Sequence, residues 1–543
     1  MTVSHLLDVH AYVDDFNDAV IGAYAANTDD DVAADGDTAR SIIPPGTAAA
    51  RDFSHLAPDI PEFIADRCVG CMACVSACPD TALFAIALER SVVTNAVEVF
   101  AESDHVPARA RETAHAHFAQ TRKYGEVPAK RGLEPAAFGL FVDPIHCKGC
   151  GECVEVCVAL GHDALRMIRK TPAGSDGEST LARYERDMRF FRTLPATPEA
   201  YRNEKALADL MLGELAIGYV GGAGSCSGCG EATAIRMLVA ATRQTYGREG
   251  MGIVAATGCN TVFGSTYPYN PYLVPWTNSL FENAPADAMG IRLRWDQAGH
   301  ADRRLWVIGG DGAMYDIGFQ SLSRMVASGA DIKVLVLDTQ VYSNTGGQAS
   351  TATFGGQVTK LSAYGKAIRG RPERRKELGR ILMAHGDVFV AQTTAAHIDH
   401  FYRAILDANS YPGPAVVIVY APCQPEHGIA DDASNRQARL AVDARAFPLF
   451  VYDPRRGPTM RERLSLRGNP APKDDWSTLA SGDVVDFLTF ARTEGRFAPH
   501  FAPDGSPGAE IRATQEDRLA NWRLLQELAG QRDARTDERT TAG

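Results

Sequence analysis

The chain has 543 residues, 45% of them hydrophobic and 22% charged, which is ordinary for a soluble globular protein and predicts two to four domains. A formal net charge of −12 disfavours a nucleic-acid partner, because such partners favour a basic surface. The sequence has no apolar run long enough to span a membrane and no export signal, so we expect a cytoplasmic protein.

The first stretch, residues 1–60, is rich in alanine and aspartate. Low hydrophobicity and repeated acidic residues are typical of segments that bury little surface. We therefore predict a weakly ordered arm or linker without a function of its own.

Eight of the twelve cysteines follow within residues 61–175, in two runs with the spacing C-x2-C-x2-C-x3-C. Disulfides are rare in the cytosol, and this spacing is typical of bacterial two-cluster ferredoxins, in which the fourth cysteine of each run binds the other cluster. We predict an α+β ferredoxin-like domain with an insertion between the runs. The expected ligands are Cys68, Cys71, Cys74 and Cys157 for one 4Fe-4S cluster, and Cys147, Cys150, Cys153 and Cys78 for the other. Two zinc sites are the alternative, although zinc sites usually pair separate C-x2–4-C units.

The remaining four cysteines lie in residues 216–452, a second predicted domain after a linker at residues 176–215. They are Cys226 and Cys229 in GSCSGCGEA, Cys259 in ATGCNT, and Cys423 in YAPCQP. Four thiols are the number that a third 4Fe-4S cluster needs. Cys259 and Cys423 each follow a strand-like apolar segment, which favours a shared sheet edge. A structural zinc site, or a Cys226–Cys229 redox dithiol beside two unrelated cysteines, remains open.

The same domain contains a predicted βαβ unit of a doubly wound parallel sheet. The apolar run Leu305–Ile308 breaks at a GGDG sequence, and a second apolar run, Ile332–Leu337, precedes Thr339. Because parallel strands end at one edge, Asp311 and Thr339 should face each other and offer oxygen ligands to Mg2+ beside a diphosphate. A GDG sequence followed by Asn344 in the next loop is the thiamine diphosphate signature. The alternative is that Asp311 merely caps the following helix.

Residues 453–543 are rich in proline and arginine and end in a helical pattern, EDRLANWRLLQELAG. We predict a C-terminal extension that contacts a neighbouring subunit or its own domain, and assign it no chemistry.

Together these motifs resemble the C-terminal half of pyruvate:ferredoxin oxidoreductase, of the 2-oxoacid:ferredoxin oxidoreductase family. The resemblance rests on the two ferredoxin runs and on GSCSGCGE, ATGCNTVFG, PWTNSLFENA, GGDGAMYDIG, DTQVYSNTGGQ and YAPCQPEHG. It implies that Cys226, Cys229, Cys259 and Cys423 bind the cluster nearest the thiamine, and that Asp311, Thr339 and the Val341 carbonyl bind Mg2+. The implied cofactor contacts are Glu231, Cys259, Gly310, Asp311, Gly312, Ala313, Thr339, Gln340, Val341, Tyr342, Ser343 and Asn344, with Glu231 and Asn344 acting in catalysis.

The resemblance implies reversible oxidation of pyruvate with coenzyme A and ferredoxin to acetyl-CoA and CO2. Use of 2-oxoglutarate, a branched 2-oxoacid or oxalate is an alternative, as is an electron-transfer subunit with a vestigial thiamine fold. In this family, separate domains bind the thiamine pyrimidine and coenzyme A, and residues 1–60 are too short to supply them. We therefore expect a second subunit, in a heterodimer or a dimer of heterodimers, with ferredoxin or flavodoxin as electron acceptor.

Overall fold

The computed structural model describes residues 9–32, 43–102, 110–173, 177–360, 370–479 and 481–532. The chain divides into two compact units. The first comprises residues 1–205, 209–227 and 261–275, and the second comprises residues 206–208, 228–260 and 276–543. No helix within the described ranges is both long and apolar enough to cross a lipid bilayer.

The first unit contains two small antiparallel sheets. Its strands are β1 (Asp59–Phe63), β2 (Leu83–Glu89), β3 (Phe118–Ala119), β4 (Ala136–Val142) and β5 (Leu165–Arg169). Strand β1 pairs with β5, and β4 lies between β2 and β3. Every residue of β4 is buried, because apolar side chains cover both of its faces.

The helices of this unit surround the two sheets. They are α1 (Val9–Phe16), α2 (Gly22–Ala25), α3 (Ala73–Ala77), α4 (Arg90–Ala101), α5 (Ala110–Ala116), α6 (Val127–Ala129), α7 (Glu152–Ala159) and α8 (Thr180–Thr193). Short 3-10 or π-helical turns cover Asn17–Ile21, Asp29–Asp31, Thr47–Ala50, Ala65–Arg67, Arg122–Glu126, Glu199–Tyr201, Leu207–Leu212 and Glu214–Ala216. Valines of α4 and aromatic residues of α8 pack with Phe118 and Phe141 in one core.

Residues 9–25 of the predicted weakly ordered N-terminal arm form successive helices. Tyr12, Phe16 and Val20 recur at helical spacing and are buried together, and the Phe16 ring lies 5.9 Å from the Tyr267 ring. This apolar face is not predicted by the acidic composition of the segment. Residues 1–8 and 33–42 of the predicted arm lie outside the described residues.

The second unit is built on an eight-stranded sheet whose order is β13-β12-β10-β11-β9-β8-β6-β7. Its strands are β6 (Met251–Ala256), β7 (Trp276–Ser279), β8 (Arg304–Gly310), β9 (Ile332–Asp338), β10 (Phe389–Thr394), β11 (Ala415–Tyr420), β12 (Phe450–Tyr452) and β13 (Leu464–Ser465). The six strands β6–β11 are parallel, and the short β12 and β13 add an antiparallel edge. A separate ribbon pairs β14 (Ser477–Thr478) with β15 (Val484–Val485).

The helices of the second unit flank this sheet. They are α9 (Gly230–Tyr246), α10 (Cys259–Gly264), α11 (Ala284–Gln297), α12 (Phe319–Ala327), α13 (Leu378–Met383), α14 (Ile398–Ser410), α15 (Gln424–His427), α16 (Ser434–Asp443), α17 (Met460–Arg463), α18 (Phe487–Ala491) and α19 (Ala509–Leu528). A π-helical turn covers Gly312–Ile317, and 3-10 turns cover Pro454–Arg456 and Gly495–His500. The predicted βαβ unit is present, since β8 and β9 pair in parallel with Leu305 opposite Ile332.

The C-terminal extension contributes to the core of this unit. Phe487, Phe490, Phe497 and Trp522 are fully buried in the same apolar cluster as strand residues such as Val334. Residues of the extension therefore pack on their own unit.

Candidate cofactor and cluster sites

The carboxyl ends of four neighbouring strands carry the predicted site residues of the second unit. Strands β11, β9, β8 and β6 are adjacent and parallel, and they are followed by Cys423, Thr339, Asp311 and Cys259, respectively. Ligands of open parallel sheets bind at this edge. The topology thus gathers at one edge four residues that are far apart in the sequence.

A cavity of about 230 Å³ opens at this edge. It is lined by eleven of the twelve residues expected to contact the cofactor: Glu231, Cys259, Gly310, Asp311, Gly312, Ala313, Thr339, Val341, Tyr342, Ser343 and Asn344. Asn344 is exposed, whereas Asp311 and Thr339 are almost fully buried.

Three oxygen atoms converge on the floor of the cavity. The Thr339 hydroxyl lies 3.1 Å from Asp311 Oδ1 and 3.0 Å from the Val341 carbonyl oxygen. Ser343 donates to the Thr339 hydroxyl at 2.7 Å, and Ser350 donates to the other oxygen of Asp311. Carboxylate, hydroxyl and carbonyl oxygens are the ligands that hard cations prefer.

Burial raises the pKa of the Asp311 carboxyl well above its usual value, and the charge of Asp338 raises it further. A buried carboxylate is favoured when a cation neutralises it. The donor set at Asp311 therefore fits Mg2+.

Glu231 is the second buried carboxyl group of the cavity. It lies in the first turn of α9, is 5% exposed, and its burial raises the pKa to about 8. Its Oε2 atom has no hydrogen-bond partner within the described part of the chain. A buried polar atom without a partner costs free energy, so this atom is suited to a polar group of a ligand. The residues present therefore fit thiamine diphosphate with Mg2+.

Gln340 is the expected contact that does not line the cavity. Its side chain donates to the Asp338 carbonyl at 2.6 Å and accepts from Arg496 at 3.0 Å. Asp338 is in turn paired with Arg375 and accepts from the Tyr315 hydroxyl at 2.5 Å. This buried charged network supports the end of β9, and no local motif distinguishes its arginines from surface arginines.

In the first unit the predicted ferredoxin ligands form two groups. Cys68, Cys71, Cys74 and Cys157 line one small pocket. Burial raises the pKa of Cys68 to about 11, with smaller contributions from Cys71 and Cys157. Likewise burial raises the pKa of Cys153, with smaller contributions from Cys150, Cys147, Cys78 and Cys74. The first group thus combines three cysteines of the first run with the fourth of the second, and Cys78 of the first run lies close enough to Cys153 to affect its pKa.

Backbone amides point at several of these sulfurs. The amides of Gly70, Ala82 and Ala164 donate to Cys68, Cys78 and Cys157 at 3.3, 3.3 and 3.2 Å. Hydrogen bonds of this kind stabilise cluster thiolates. No disulfide joins any of the twelve cysteines, and no described group of histidine, cysteine and acidic side chains is arranged around a single metal ion. A 4Fe-4S cluster does not require such an arrangement, because each of its four cysteines binds a different iron atom.

Three of the remaining cysteines belong to the second unit. The Gly230 amide donates to the Pro422 carbonyl at 3.2 Å, which brings the segments of Cys229 and Cys423 side by side. Cys259 lines the cavity beside Asp311 and Thr339. Cys226 belongs to the first unit and is exposed there.

His427 is a further buried residue at this edge. Its Nε2 lies 2.8 Å from the Thr339 carbonyl oxygen, and its Nδ1 accepts from the Cys423 amide at 3.4 Å. Burial lowers its pKa well below the ordinary value, so the ring is neutral. No sequence pattern distinguishes it from the other histidines, of which the chain has 14 in all.

Comparison with known proteins gives two family matches. The C-terminal TPP binding domain of thiamine pyrophosphate enzymes matches residues 256–419, and a 4Fe-4S binding domain matches residues 61–84. These matches cover the sheet edge with Asp311 and the first cysteine run.

Two curated proteins named as pyruvate oxidoreductases are similar to most of this chain. A probable pyruvate-flavodoxin oxidoreductase of Escherichia coli is 31% identical over 492 residues, which are 78% of this chain and 38% of that protein. The pyruvate:ferredoxin oxidoreductase of Moorella thermoacetica is 28% identical over 497 residues, 77% of this chain and 38% of that protein. The chain therefore spans less than half the length of these relatives.

A solved 2-oxoglutarate:ferredoxin oxidoreductase from Magnetococcus marinus, with 2-oxoglutarate, coenzyme A and succinyl-CoA bound, is 22% identical. The match covers 37% of this chain and 64% of that chain, with a TM-score of 0.32. The two family matches and the curated relatives support the 2-oxoacid:ferredoxin oxidoreductase family, to which this chain is similar over an α/β thiamine diphosphate-binding domain preceded by a ferredoxin-like 4Fe-4S region.

Proposed function

We propose that this chain is the thiamine diphosphate-binding and electron-transferring part of a pyruvate:ferredoxin oxidoreductase. One observation carries the proposal. Oxygens of Asp311 and Val341 each lie within 3.1 Å of the Thr339 hydroxyl, at a cavity that Glu231 and Cys259 also line. A hard-cation site, an unpartnered carboxyl and a thiol in one cavity suit a diphosphate cofactor next to a cluster.

In this proposal Asp311, Thr339 and the Val341 carbonyl hold Mg2+, and the loops Gly310–Ala313 and Thr339–Asn344 surround the diphosphate. Glu231 presents its free carboxyl oxygen to the cofactor, and the exposed Asn344 presents its amide to the substrate. When bound, thiamine diphosphate supplies the carbanion chemistry that cleaves a 2-oxoacid next to its carbonyl group.

The twelve cysteines are proposed to hold three 4Fe-4S clusters, whose chemistry is one-electron transfer. Cys226, Cys229, Cys259 and Cys423 form one ligand set. Cys68, Cys71, Cys74 and Cys157 form the second, and Cys147, Cys150, Cys153 and Cys78 form the third. Ferredoxin or flavodoxin is proposed as the acceptor, because relatives are named for these carriers.

We further propose that a second polypeptide covers the cavity and supplies the pyrimidine-binding and coenzyme A-binding domains. Leu280, Phe281 and Ile317 are 56%, 37% and 60% exposed, and the last two line the cavity. Exposed apolar side chains around a binding site mark an interaction surface. The substrate pocket would then lie largely on that polypeptide, so 2-oxoglutarate, a branched 2-oxoacid or oxalate are the alternatives to pyruvate.

The thiamine site is tested by Mg2+-dependent binding of thiamine diphosphate, measured by calorimetry. Asp311→Asn removes a charged ligand, and we expect at least about 100-fold weaker binding. Asp316→Asn is the matched control, because Asp316 lies in the π-helical turn that directly follows Asp311, accepts from the Tyr342 hydroxyl at 2.7 Å and does not line the cavity. Equal affinities of Asp311→Asn and the wild type would favour the vestigial thiamine fold.

The complete function is tested by pyruvate-dependent reduction of ferredoxin in the complex that forms in the source cells. Iron analysis is expected to give about twelve atoms per chain, four for each cluster. About eight atoms, unchanged by Cys226→Ala, would contradict the third cluster. Coenzyme A-dependent activity with 2-oxoglutarate but not pyruvate would correct the substrate.

A further inference from the structure

Lys148 is a buried lysine between Cys147 and Gly149 in the second cysteine run. Its side chain is 4% exposed, and its ammonium forms an ion pair with Asp80 Oδ1 at 2.7 Å. It also donates to the Ala223 carbonyl at 2.8 Å, and to the carbonyl and hydroxyl of Ser225 at 2.7 and 3.1 Å. One side chain thus joins three segments of the first unit.

All three segments belong to the proposed electron-transfer machinery. Lys148 follows the cluster ligand Cys147, Asp80 lies two residues after Cys78, and Ser225 directly precedes Cys226. Cys78 is proposed to bind the same cluster as Cys147, so the ion pair of Lys148 with Asp80 joins two ligand segments of that cluster. The lysine therefore connects one proposed cluster to a ligand of another.

The position of this cation is tightly determined. The ammonium lies 4.8 Å from the centre of the Phe53 ring, and the Arg51 guanidinium lies 4.8 Å from the centre of the same ring. Burying an ammonium costs several kcal/mol unless charges and hydrogen bonds compensate it. Here a carboxylate, three oxygen acceptors and an aromatic ring provide that compensation.

The segment before Cys226 has little freedom of its own. Gly222 has φ +84, and a Cβ atom there would lie 1.8 Å from the Ala48 carbonyl oxygen. The backbone at Gly222 therefore packs directly against Ala48 and Arg51, and the contacts of Lys148 hold the same segment at Ser225.

We propose that Lys148 is a positioning residue of the electron-transfer chain. Its ammonium holds the Cys226 segment against the second cysteine run and makes the reduction potential of the cluster bound by Cys147 less negative. The sign follows because reduction adds negative charge to a cluster, and a nearby buried cation favours that charge. The inference rests on the proposed clusters and adds a residue that binds none of them.

The experiment compares Lys148→Met, Lys148→Arg and Lys123→Met in the purified full chain, by iron analysis and EPR redox titration. Lys123 is a matched control, because it donates to the Gly70 carbonyl at 3.0 Å and to Asp209 at 2.5 Å near the first cysteine run. The signal of the Cys226 cluster is identified as the one that Cys226→Ala removes.

For Lys148→Met we expect the EPR signal of the cluster assigned to Cys226 to be at least about threefold weaker than in the wild type. We also expect the reduction equilibrium of the Cys147 cluster to shift at least about tenfold toward oxidation, which is 59 mV for one electron. Lys148→Arg should retain the potential, and Lys123→Met should retain the Cys226 signal. Unchanged signal and potential in Lys148→Met would overturn the proposal.

A double variant, Lys148→Met with Asp80→Asn, separates the two effects, because it removes both charges of the buried ion pair. We expect it to bring the potential back toward the wild type while the Cys226 signal stays low, because the bonds to Ala223 and Ser225 remain absent. Full recovery of the Cys226 signal would show that the lysine does not hold this segment. If Cys226→Ala removes no signal from the wild type, the proposed third cluster fails instead.

Discussion

At the scale of single residues, the two carboxyl groups of the cavity differ in their hydrogen bonding. Asp311 accepts from Thr339 and Ser350, whereas Glu231 Oε2 has no partner in the described ranges. Hydrogen bonds hold the first carboxyl group in place before any ligand binds. A buried carboxyl oxygen without such bonds can accept one from a ligand. The cavity therefore combines one carboxyl group held by hydrogen bonds with one carboxyl oxygen that has no described partner.

Sequence patterns identified the residues that follow strands and missed those that depend on tertiary burial. Asp311 and Thr339 were predictable because two apolar runs marked β8 and β9, and parallel strands end together. Lys148, His427 and Arg375 were not, because a charged residue in the sequence is ordinarily a surface residue. Their roles arise from partners that are distant in the sequence, such as Ser225 for Lys148 and Thr339 for His427.

Gly230 provides a residue-scale test of the proposed third cluster. A Cβ atom at this position would lie 2.7–2.8 Å from atoms of Pro422, between the segments of Cys229 and Cys423. Gly230→Ala should push these segments apart, and we expect loss of about four iron atoms per chain with the other clusters retained. Gly290→Ala in α11 is the control, because a Cβ atom at Gly290 would meet no neighbouring atom within 4 Å. Full iron content in Gly230→Ala would contradict the assignment of Cys229 and Cys423.

At the scale of elements, the candidate site residues lie where the strands of the sheet end and the following turn or loop begins. Strand β8 leads into the π-helical turn Gly312–Ile317, and β9 leads into the loop with Thr339 and Asn344. The apolar runs predicted both strands, but the π-helical turn has no sequence signature that separates it from an α-helix. Such turns occur frequently at functional sites, and this one carries Gly312 and Ala313 into the cavity wall.

The start of α14 gives the protein a pH-sensitive element. Burial lowers the pKa values of His397 and His400 to about 4, and their Nδ1 atoms lie 3.2 and 2.8 Å from Thr394 and Thr393 hydroxyls. An unfolded histidine titrates near pH 6.5, so between about pH 4 and 6.5 the unfolded chain binds more protons than the folded one. Stability from this source is complete above pH 6.5 and falls as the pH drops toward 4, by about 3 kcal/mol per histidine at most.

We therefore expect the double variant His397→Asn with His400→Asn to lose less stability than the wild type between pH 7.5 and pH 5. Asparagine keeps a polar atom near the Nδ1 position, so the threonine contacts are preserved while the titration is removed. The measurement is the apparent melting temperature by circular dichroism, with the exposed His55→Asn as control. Parallel pH profiles for the double variant and the wild type would refute the assignment.

At the scale of the whole molecule, the core of the second unit extends far beyond the matched thiamine domain. The family match ends at residue 419, yet Phe487, Phe497, Ile511 and Trp522 are buried with the sheet residues. Arg518 also pairs with the buried Glu377 at 2.6 Å. The sequence showed a helical segment here, but its buried face could not be separated from a subunit-contacting one, because both are amphipathic.

The exposed rim of the cavity gives the last prediction, which concerns the proposed partner polypeptide. Ile317 lines the cavity, is 60% exposed and ends the π-helical turn, whereas Leu293 is 62% exposed on α11 and does not line the cavity. If a second polypeptide covers the rim, a charge at Ile317 must be buried without a partner in the complex, at a cost of several kcal/mol. A charge at Leu293 would stay in water.

Ile317→Glu is therefore expected to reduce pyruvate-dependent ferredoxin reduction by the co-purified complex at least about 100-fold, and Leu293→Glu to leave it within about twofold. Iron content should be unchanged in both variants, because neither residue adjoins a cysteine segment in the sequence. The complex is compared by size-exclusion chromatography, in which Ile317→Glu should release the second polypeptide and Leu293→Glu should not. Retention of an intact, active complex by Ile317→Glu would show that the rim faces solvent in the working enzyme.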